Sequence, residues 1–284
     1  MAPPSPATPS PEPPSPAPLP RRLRRLDQLS WPELQEGAAR PGSTVLWPFG
    51  AIEQHGPHLP LGTDALFAER VCEAVLERLD PDLPLWRLPL QSLGFSPEHR
   101  GFPGTLSLSA ELMLSLVASV GRDLARSGFR RLVLLNAHGG QIGLLEVAAR
   151  QLRDEEPRLA VLPCFLWRGP EGIGALIPEP ERSQGLHAGL AETSLLLHLA
   201  PELTGPERPA DGLEARGVPE GWSLEGEAPT AWLTREVSRS GVIGDAGDAS
   251  AELGALLFER LVEGWRRRLD ALLRSDWPPS GGPR

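Results

Sequence analysis

The sequence predicts an α/β fold in which a mostly parallel central sheet is covered by helices on both faces. Two observations support this prediction. Short apolar runs of strand length alternate with longer segments whose apolar residues recur at helical spacing. This alternation is typical of parallel sheets, because the helix that joins two parallel strands packs on a face of the sheet. The length of 284 residues suits one large domain with unfolded ends.

The two ends of the chain are predicted to lie outside this domain. Residues 1–22 are rich in proline and cannot bury enough apolar surface to fold, so we expect a disordered tail there. The same composition lacks the apolar helix of a signal peptide. We expect the domain over residues 23–275 and a frayed end over residues 276–284.

The first predicted elements are a helix, a strand and a second helix. Ser30 can cap a helix that begins one or two residues later. The apolar run 44–49 ends at a glycine, which is the pattern of a buried strand that leads into a functional loop. Asp64 precedes an amphipathic segment, 65–76, and we expect it at or near the N-cap of that helix.

The later elements continue the alternation. Strands are predicted at 83–90, at 132–135, which is the clearest buried run, and at 159–165; helices are predicted at 109–127, 142–155, 187–199 and 250–274. In the helix over 109–127, a stripe recurs every four residues and consists of Leu112, Leu116, Val120 and Leu124. Residues 204–247 are rich in glycine and proline, so a long surface excursion is expected there.

The composition excludes several function classes. The net charge is −9, with 37 acidic and 28 basic residues, which argues against a nucleic-acid surface and leaves small molecules or other subunits as partners. Cys72 and Cys164 are isolated, so neither a disulfide framework nor a Cys-x-x-Cys motif is present, and a reducing cytoplasmic location is predicted. Apolar runs are too short for a membrane span.

The histidines and carboxylates predict a metal site. Glu53 and His55 are two residues apart, so in an extended segment both side chains face one side and can meet one ion. Asp64 can return a third ligand, and a carboxylate can bridge two ions. His138 follows a parallel strand, where open α/β sheets place their sites. This mixed donor set suits Zn²⁺ or Mn²⁺ and is poor for Ca²⁺.

Two further segments are candidates for contact with a substrate. Ser96 and His99 lie in a loop that is either a pocket wall or a simple turn before a Pro-Gly pair. Gly139 and Gly140 follow His138 directly and let the backbone approach a substrate closely. His58 is expected to hydrogen-bond within its Pro-flanked loop.

Four motifs resemble the creatininase (creatinine amidohydrolase) family: PFGAIEQHGPHLPLGTD, FSPEHRGFPGTLSL, LLNAHGGQ and HAGLAETSLLL. The resemblance covers residues 47–197. It implies a three-layer α/β/α sandwich, a binuclear metal site, hydrolysis of amide or related bonds, and a homo-oligomer that is often a hexamer. It also implies that the metal ligands are Glu53, His55, Asp64 as the bridge, and His138.

The resemblance implies two further roles and one departure. His187 falls on the position of a catalytic histidine, although it could also only cap a helix start. Creatininases have a tyrosine and then a metal-binding glutamate directly after the histidine equivalent to His138, whereas this chain has Gly139 and Gly140. Glu192 then becomes the candidate for the fifth ligand, although it could also be a structural carboxylate. Residues 183–186 hold no aromatic side chain, which argues against a creatinine pocket.

Together these residues predict a metal-dependent amidohydrolase that cleaves a C–N bond of a cyclic amide, a formamide or a similar small molecule. Two divalent ions per chain, Zn and/or Mn with Fe as a possibility, would activate a water, and His187 would pass a proton to the leaving nitrogen. The alternatives are creatinine amidohydrolase itself and a non-catalytic metal-binding scaffold of the same fold. Neither a Gly-x-Ser-x-Gly elbow nor a Walker A loop occurs.

Overall fold

The computed structural model describes residues 24–213 and 218–278. The predicted N-terminal tail, 1–22, and most of the predicted frayed end lie outside the described residues. Four parallel strands form the central sheet in the order β2-β1-β3-β4. Their bounds are β1 Thr44–Phe49, β2 Leu85–Arg87, β3 Arg131–Asn136 and β4 Ala160–Phe165.

Helices connect these strands and follow the last of them. The α-helices are α1 Trp31–Ala38, α2 Thr63–Arg78, α3 Ala110–Arg126, α4 Ile142–Glu155, α5 Glu181–Gln184, α6 Leu190–Leu199, α7 Thr234–Val237 and α8 Ala251–Leu273. Short 3₁₀ helices occur at Leu26–Gln28, Pro97–His99, Gly139–Gln141, Gly174–Leu176 and Pro201–Leu203. A two-stranded antiparallel pair is formed by β5 Ala210–Asp211 and β6 Gly244–Asp245.

The sheet separates two hydrophobic cores. Alternate residues of β3 point to opposite faces, so Leu132 and Leu134 join one core while Val133 and Leu135 join the other. The first core packs against α1, α3 and α4, and the second against α2, α6 and α8. The predicted three-layer α/β/α sandwich with a parallel sheet is therefore confirmed.

Several predicted elements match the structure closely. The strand at 44–49 and the helix at 142–155 have the predicted bounds. Ser30 and Glu33 form a capping box at the start of α1. Asp64 is the second residue of α2, whose N-cap is Gly62. Ser250 caps α8 by accepting a hydrogen bond from the backbone N–H of Leu253.

Two predictions about regular elements were wrong in detail. The strand expected over 83–90 spans only three residues, because Pro84 and Pro89 flank it and proline has no N–H for the ladder. The buried stripe of α3 is not the predicted one. It consists of Met113, Val117, Gly121 and Leu124, whereas Leu112 is exposed. Gly121 belongs to this stripe because it lies directly against Leu152, a close approach that hydrophobic spacing does not reveal.

The helix predicted over 187–199 begins three residues later, at Leu190. The cause is Ala188, whose φ of +54° lies in the left-handed region and cannot belong to a right-handed helix. His187 instead pairs with Ile243 in an isolated antiparallel bridge. The backbone therefore turns sharply between His187 and the helix.

Residues 204–247 were predicted to be a surface excursion. Most of the described part is exposed or half-buried, as predicted, but the end of the segment is not. Val242 and Ile243 are fully buried, and Thr234 is also buried against the domain. The bridge between Ile243 and His187 brings the end of this segment against the residues that precede α6. Residues 214–217 lie outside the described residues. We call residues 204–247 the return segment.

Two further predictions concern the cysteines and the membrane. Cys72 and Cys164 are both free thiols, as predicted from their isolation. None of the helices in the described ranges combines the length and the apolar character that crossing a bilayer requires.

Candidate metal centre

A cavity of about 220 Å³ opens at the carboxyl-terminal ends of β1 and β3. This is the edge at which parallel α/β sheets place their binding sites. A larger cavity, of about 540 Å³, lies between β4 and α8 and holds none of the predicted site residues. The smaller cavity is lined by most of the predicted residues, namely Glu53, Asp64, His99, His138, Gly139, Gly140, His187 and Glu192.

Glu53 and His55 lie in the loop that follows β1. The backbone N–H of Glu53 donates to the carbonyl of Leu61 at 2.9 Å, so the loop folds back on itself. Both side chains are fully buried. Within the described residues, neither carboxylate oxygen of Glu53 nor Nε2 of His55 has a hydrogen-bond partner. Buried polar atoms are nearly always paired, so these atoms are suited to bind a ligand such as a metal ion.

Asp64 presents one oxygen to each of two histidines. Its Oδ1 lies 3.5 Å from Nε2 of His55, and its Oδ2 lies 3.2 Å from Nδ1 of His138. Ligand atoms that bind one Zn²⁺ ion at about 2.0–2.2 Å stand roughly 3–3.5 Å apart. Asp64 therefore has one oxygen beside each imidazole, a position from which a carboxylate could bridge two ions.

His138 is held in one orientation by its neighbours. Its backbone N–H donates to Oδ1 of Asn136 at 2.9 Å, and Nδ2 of Asn136 donates to its carbonyl at 2.7 Å. Nε2 lies 3.0 Å from the carbonyl of Phe95, which can only accept, so Nε2 carries the hydrogen. In the neutral imidazole Nδ1 is then the bare nitrogen, and it lies 3.2 Å from Oε1 of Glu53. A metal-binding histidine is commonly fixed in this way.

The electrostatics of these groups fit divalent cations. Burial alone would lower the pKa of His55, but Asp64 and Glu53 outweigh that effect and raise the pKa to about 9. Burial is likewise outweighed at His138, whose pKa the carboxylate of Glu53 raises well above its ordinary value. The same imidazoles hold the pKa of Asp64 well below its usual range, against the effect of burial. Positive charge beside these carboxylates is therefore stabilising. Two metal ions would supply that charge while both imidazoles stay neutral.

Glu192 lies in the first turn of α6 and joins the His55 side of the site. Its Oε2 accepts a hydrogen bond from the backbone N–H of Ala188 at 2.7 Å. Burial raises the pKa of Glu192 to about 7. Among the described residues, three groups could hold an ion: Glu53, His55 and His187; Glu53, Glu98 and His138; and His55, Asp64 and Glu192.

His187 lies three residues before α6, and its side chain lines the cavity. Its Nε2 lies 2.7 Å from the backbone carbonyl of Gln54, so Nε2 carries the hydrogen and donates. The bare Nδ1 lies 3.8 Å from Oε1 of Glu53. Burial, together with the neighbouring imidazoles of His99 and His55, lowers the pKa of His187 well below its ordinary value. His187 is therefore a neutral imidazole with a bare nitrogen at the cavity.

The predicted substrate residues occupy different positions. His99 lines the cavity, and its ring stacks on that of His187 with centroids 4.1 Å apart. Gly139 and Gly140 also line the cavity. Ser96 is fully buried and stands behind His138, where its hydroxyl lies 3.2 Å from Nε2. The structure thus brings Ser96 to a ligand and not to the cavity wall.

The prediction that His58 hydrogen-bonds within its own loop was wrong, because its side-chain partner lies in α6. Its Nε2 donates to the hydroxyl of Thr193 at 2.8 Å, which ties the loop after β1 to α6. Thr193 in turn donates to the carbonyl of Ala188 at 3.2 Å, which leaves its hydroxyl oxygen free to accept.

Glu98, Gln54 and Trp232 are among the residues of the site that were not predicted. Glu98 lines the cavity and stands beside His99 in the same motif, so its position next to a candidate was a usable signal. Gln54 lies between two candidate ligands, and its side-chain amide donates to Nδ1 of His99 at 2.8 Å and to the carbonyl of Gly241 at 3.0 Å. Trp232 also lines the cavity, but it lies in the return segment, where no sequence periodicity marks it.

Comparison with known proteins gives consistent relatives. The family model described as "Creatinine amidohydrolase" matches residues 27–269. A mycofactocin precursor peptide peptidase of Mycobacterium ulcerans is 37% identical over 225 residues, covering 78% of this chain and 82% of the relative. A creatinine amidohydrolase of Pseudomonas putida is 30% identical over 267 residues, covering 89% of this chain and 97% of the relative.

Solved structures agree with these sequence relatives. A structure described as "Creatininase Mn" superimposes with a TM-score of 0.69 at 28% identity, covering 88% of this chain and 98% of that one. The residues that the family model matches, 27–269, include the cavity and all of its candidate ligands. The chain belongs to the creatininase family.

Proposed function

We propose that this chain is a metal-dependent amidohydrolase that binds two divalent ions, Zn and/or Mn, in the 220 Å³ cavity. The observation that carries the proposal is the bridging position of Asp64, with one oxygen toward His55 and the other toward His138. Beside it lies Glu53, buried with both oxygens unpartnered. His55, Asp64 and Glu192 would hold one ion, and Glu53, Asp64 and His138 the other.

The chemistry of the reaction divides between the ions and the protein. Two bound ions would lower the pKa of a water and polarise the scissile carbonyl. His187 would accept a proton at its bare Nδ1 and deliver it to the leaving nitrogen, because its lowered pKa keeps it unprotonated at neutral pH. His99, Gly139 and Gly140 would position the substrate at the cavity wall.

The proposal is tested by metal analysis and turnover together. The protein is loaded with Zn²⁺ or Mn²⁺, dialysed, and measured for bound metal and for release of amine from a panel of small cyclic amides, formamides and short peptides. Two ions per chain and turnover that His138→Ala abolishes would support the proposal. A single ion that Asp64→Asn leaves in place, without turnover of any compound, would instead indicate a scaffold.

The substrate is proposed to be an amide other than creatinine. At position 139 there is a glycine whose Cβ position has no atom within 4 Å, so the cavity is open where a creatininase has a tyrosine. The Mycobacterium ulcerans peptidase is 37% identical to this chain, compared with 30% for the Pseudomonas putida creatinine amidohydrolase. An open cavity suits a longer linear substrate, so an amide at the end of a peptide is the second candidate. Creatinine turnover above the His138→Ala background would contradict this part of the proposal.

The assembly and location of the chain are also part of the proposal. A homo-oligomer is supported by the edge position of β4, where apolar side chains remain partly exposed beside the cavity of about 540 Å³. Light scattering after gel filtration tests the predicted hexamer. The cytoplasmic location stays a prediction from the isolated cysteines.

A further inference from the structure

Gly140 has a neighbour that explains why no side chain can stand there. A Cβ at this position would lie 1.8 Å from Oε1 of Glu98 and 2.7 Å from Nε2 of His138. The carboxylate of Glu98 thus fills the space that a side chain at position 140 would enter. At Gly139, by contrast, a Cβ would have no atom within 4 Å. The two adjacent glycines therefore differ: one is packed against a carboxylate, and the other is open.

Glu98 reaches this space from a different part of the chain. It lies in the 3₁₀ turn Pro97–His99, and its side chain is only 13% exposed. Its Oε1 lies 3.5 Å from Nε2 of His138 and 3.9 Å from Nε2 of His99. Glu98, Glu53 and His138 can each offer one ligand atom such that all three atoms lie within 4.8 Å of one another.

The charge of the cavity requires a cation close to Glu98. Among the described residues that line the cavity, none is lysine or arginine. The carboxylates of Glu53, Asp64, Glu98 and Glu192 nevertheless lie together beside histidines. When all four are ionised, their combined charge equals the charge that two divalent ions neutralise. Glu53, fully buried with both oxygens unpartnered, independently indicates an ion on the side of the site where Glu98 stands.

We propose that Glu98 is a metal ligand, and that it supplies from the Pro97–His99 turn the carboxylate that position 140 cannot carry in this chain. The inference rests on the proposed two-metal function. It completes the ion site beside His138 with Glu53, Asp64 and Glu98, while Glu192 serves the ion beside His55. The sequence predicted that Glu192 alone replaces the missing carboxylate. In this proposal two residues replace it, Glu98 beside His138 and Glu192 beside His55.

The test moves the carboxylate from one position to the other. Metal-free wild type, Glu98→Ala, Glu98→Gln and the double variant Glu98→Ala/Gly140→Glu are titrated with Mn²⁺, and free Mn²⁺ is measured by electron paramagnetic resonance. We expect the wild type to bind two ions per chain. In Glu98→Ala, the affinity for one of these two ions should fall at least about tenfold. Glu98→Gln should also weaken that ion, because an amide carries no charge. The double variant should recover it in part, because a Cβ at position 140 still lies 2.7 Å from Nε2 of His138 and the imidazole must shift.

Each alternative gives a different result. Two ions bound with unchanged affinity in Glu98→Ala and Glu98→Gln would overturn the proposal and leave Glu98 as a residue that contacts substrate or fills space. Weakening in Glu98→Ala but not in Glu98→Gln, without recovery in the double variant, would also overturn it and indicate a hydrogen bond to His138. Gly139→Ala is the matched control and should bind two ions as the wild type does. A wild type that binds fewer than two ions contradicts the proposed function itself.

Discussion

The loops at the ends of β1 and β3, residues 53–64 and 136–141, differ from the return segment in how they build the cavity. The strand-exit loops carry most of the candidate ligands within short motifs, and their atoms lie close together because two parallel strands end side by side. The return segment contributes a wall and backbone carbonyls from residues far away in sequence. Metal chemistry is thus encoded locally, whereas the shape of the cavity depends on long-range folding.

The largest effect is expected at the centre of the strand-exit loops. Asp64→Asn removes the charge that faces both His55 and His138, so both ions should be lost together and turnover should fall by more than about 100-fold. Elemental analysis and amide hydrolysis measure the two effects, and Asp248→Asn, an exposed change in the loop before α8, is the control. Retention of one full ion would show that Asp64 does not bridge.

His187 is held by both regions, since Gln54 accepts its Nε2 hydrogen and Ile243 pairs with its backbone. His187→Asn should leave the metal content unchanged and lower kcat by about 10²–10⁴-fold, because a proton carrier is lost while the ligands remain. Metal analysis beside steady-state kinetics separates the two roles. Loss of an ion in this variant would show that His187 is a ligand. Metal binding would then no longer be confined to the strand-exit loops and α6.

The contact between Gln54 of the loop after β1 and Gly241 of the return segment can be broken by a substitution at Gly241. In Gly241→Ala, a Cβ would lie 2.0 Å from Oε1 of Gln54, and the φ of +88° is also unfavourable for alanine. We expect a loss of about 2–4 kcal/mol in the free energy of unfolding and a lower kcat, because Gln54 and His187 are displaced. Gly221→Ala is the matched control, since its φ is +81° but a Cβ there has no neighbour within 4 Å. Equal losses in both variants would mean that only backbone strain matters.

The smallest effect concerns the pH dependence of the return segment. Burial would raise the pKa of Asp211, but backbone N–H groups of Ser240 and Arg239 outweigh it and lower the pKa from its ordinary value of 3.8 to about 2. A lowered pKa stabilises the folded state above pH 3.8, and this contribution is lost as the pH falls toward 2. With solvent screening we expect at most about 1 kcal/mol. Urea unfolding between pH 5 and pH 2 should show a shallower decrease for Asp211→Asn than for the wild type.

The accuracy of the sequence predictions follows the same division. The strand at 44–49 and the position of His138 after β3 are predicted because buried parallel strands leave an unmistakable apolar run. The start of α6 is not predictable, because a single left-handed residue, Ala188, delays it. The buried Ile243 could not be found, since its burial depends on a pairing across more than 50 residues with His187. Trp232 could not be found because it is far in sequence from His99, against whose ring it packs edge-on. Glu98 was missed although it stands beside His99 in the sequence, because its close approach to Gly140 is visible only in the folded chain.

The open position at Gly139 has a consequence for engineering. Because no atom lies within 4 Å of its Cβ position, a side chain there can extend into the cavity without repacking the protein. Gly139 is also outside every group of residues that could hold an ion. A saturation library at this one position would therefore vary the shape of the cavity without replacing any of the proposed metal ligands, so that substrate range could be adjusted in directed evolution separately from the proposed metal site.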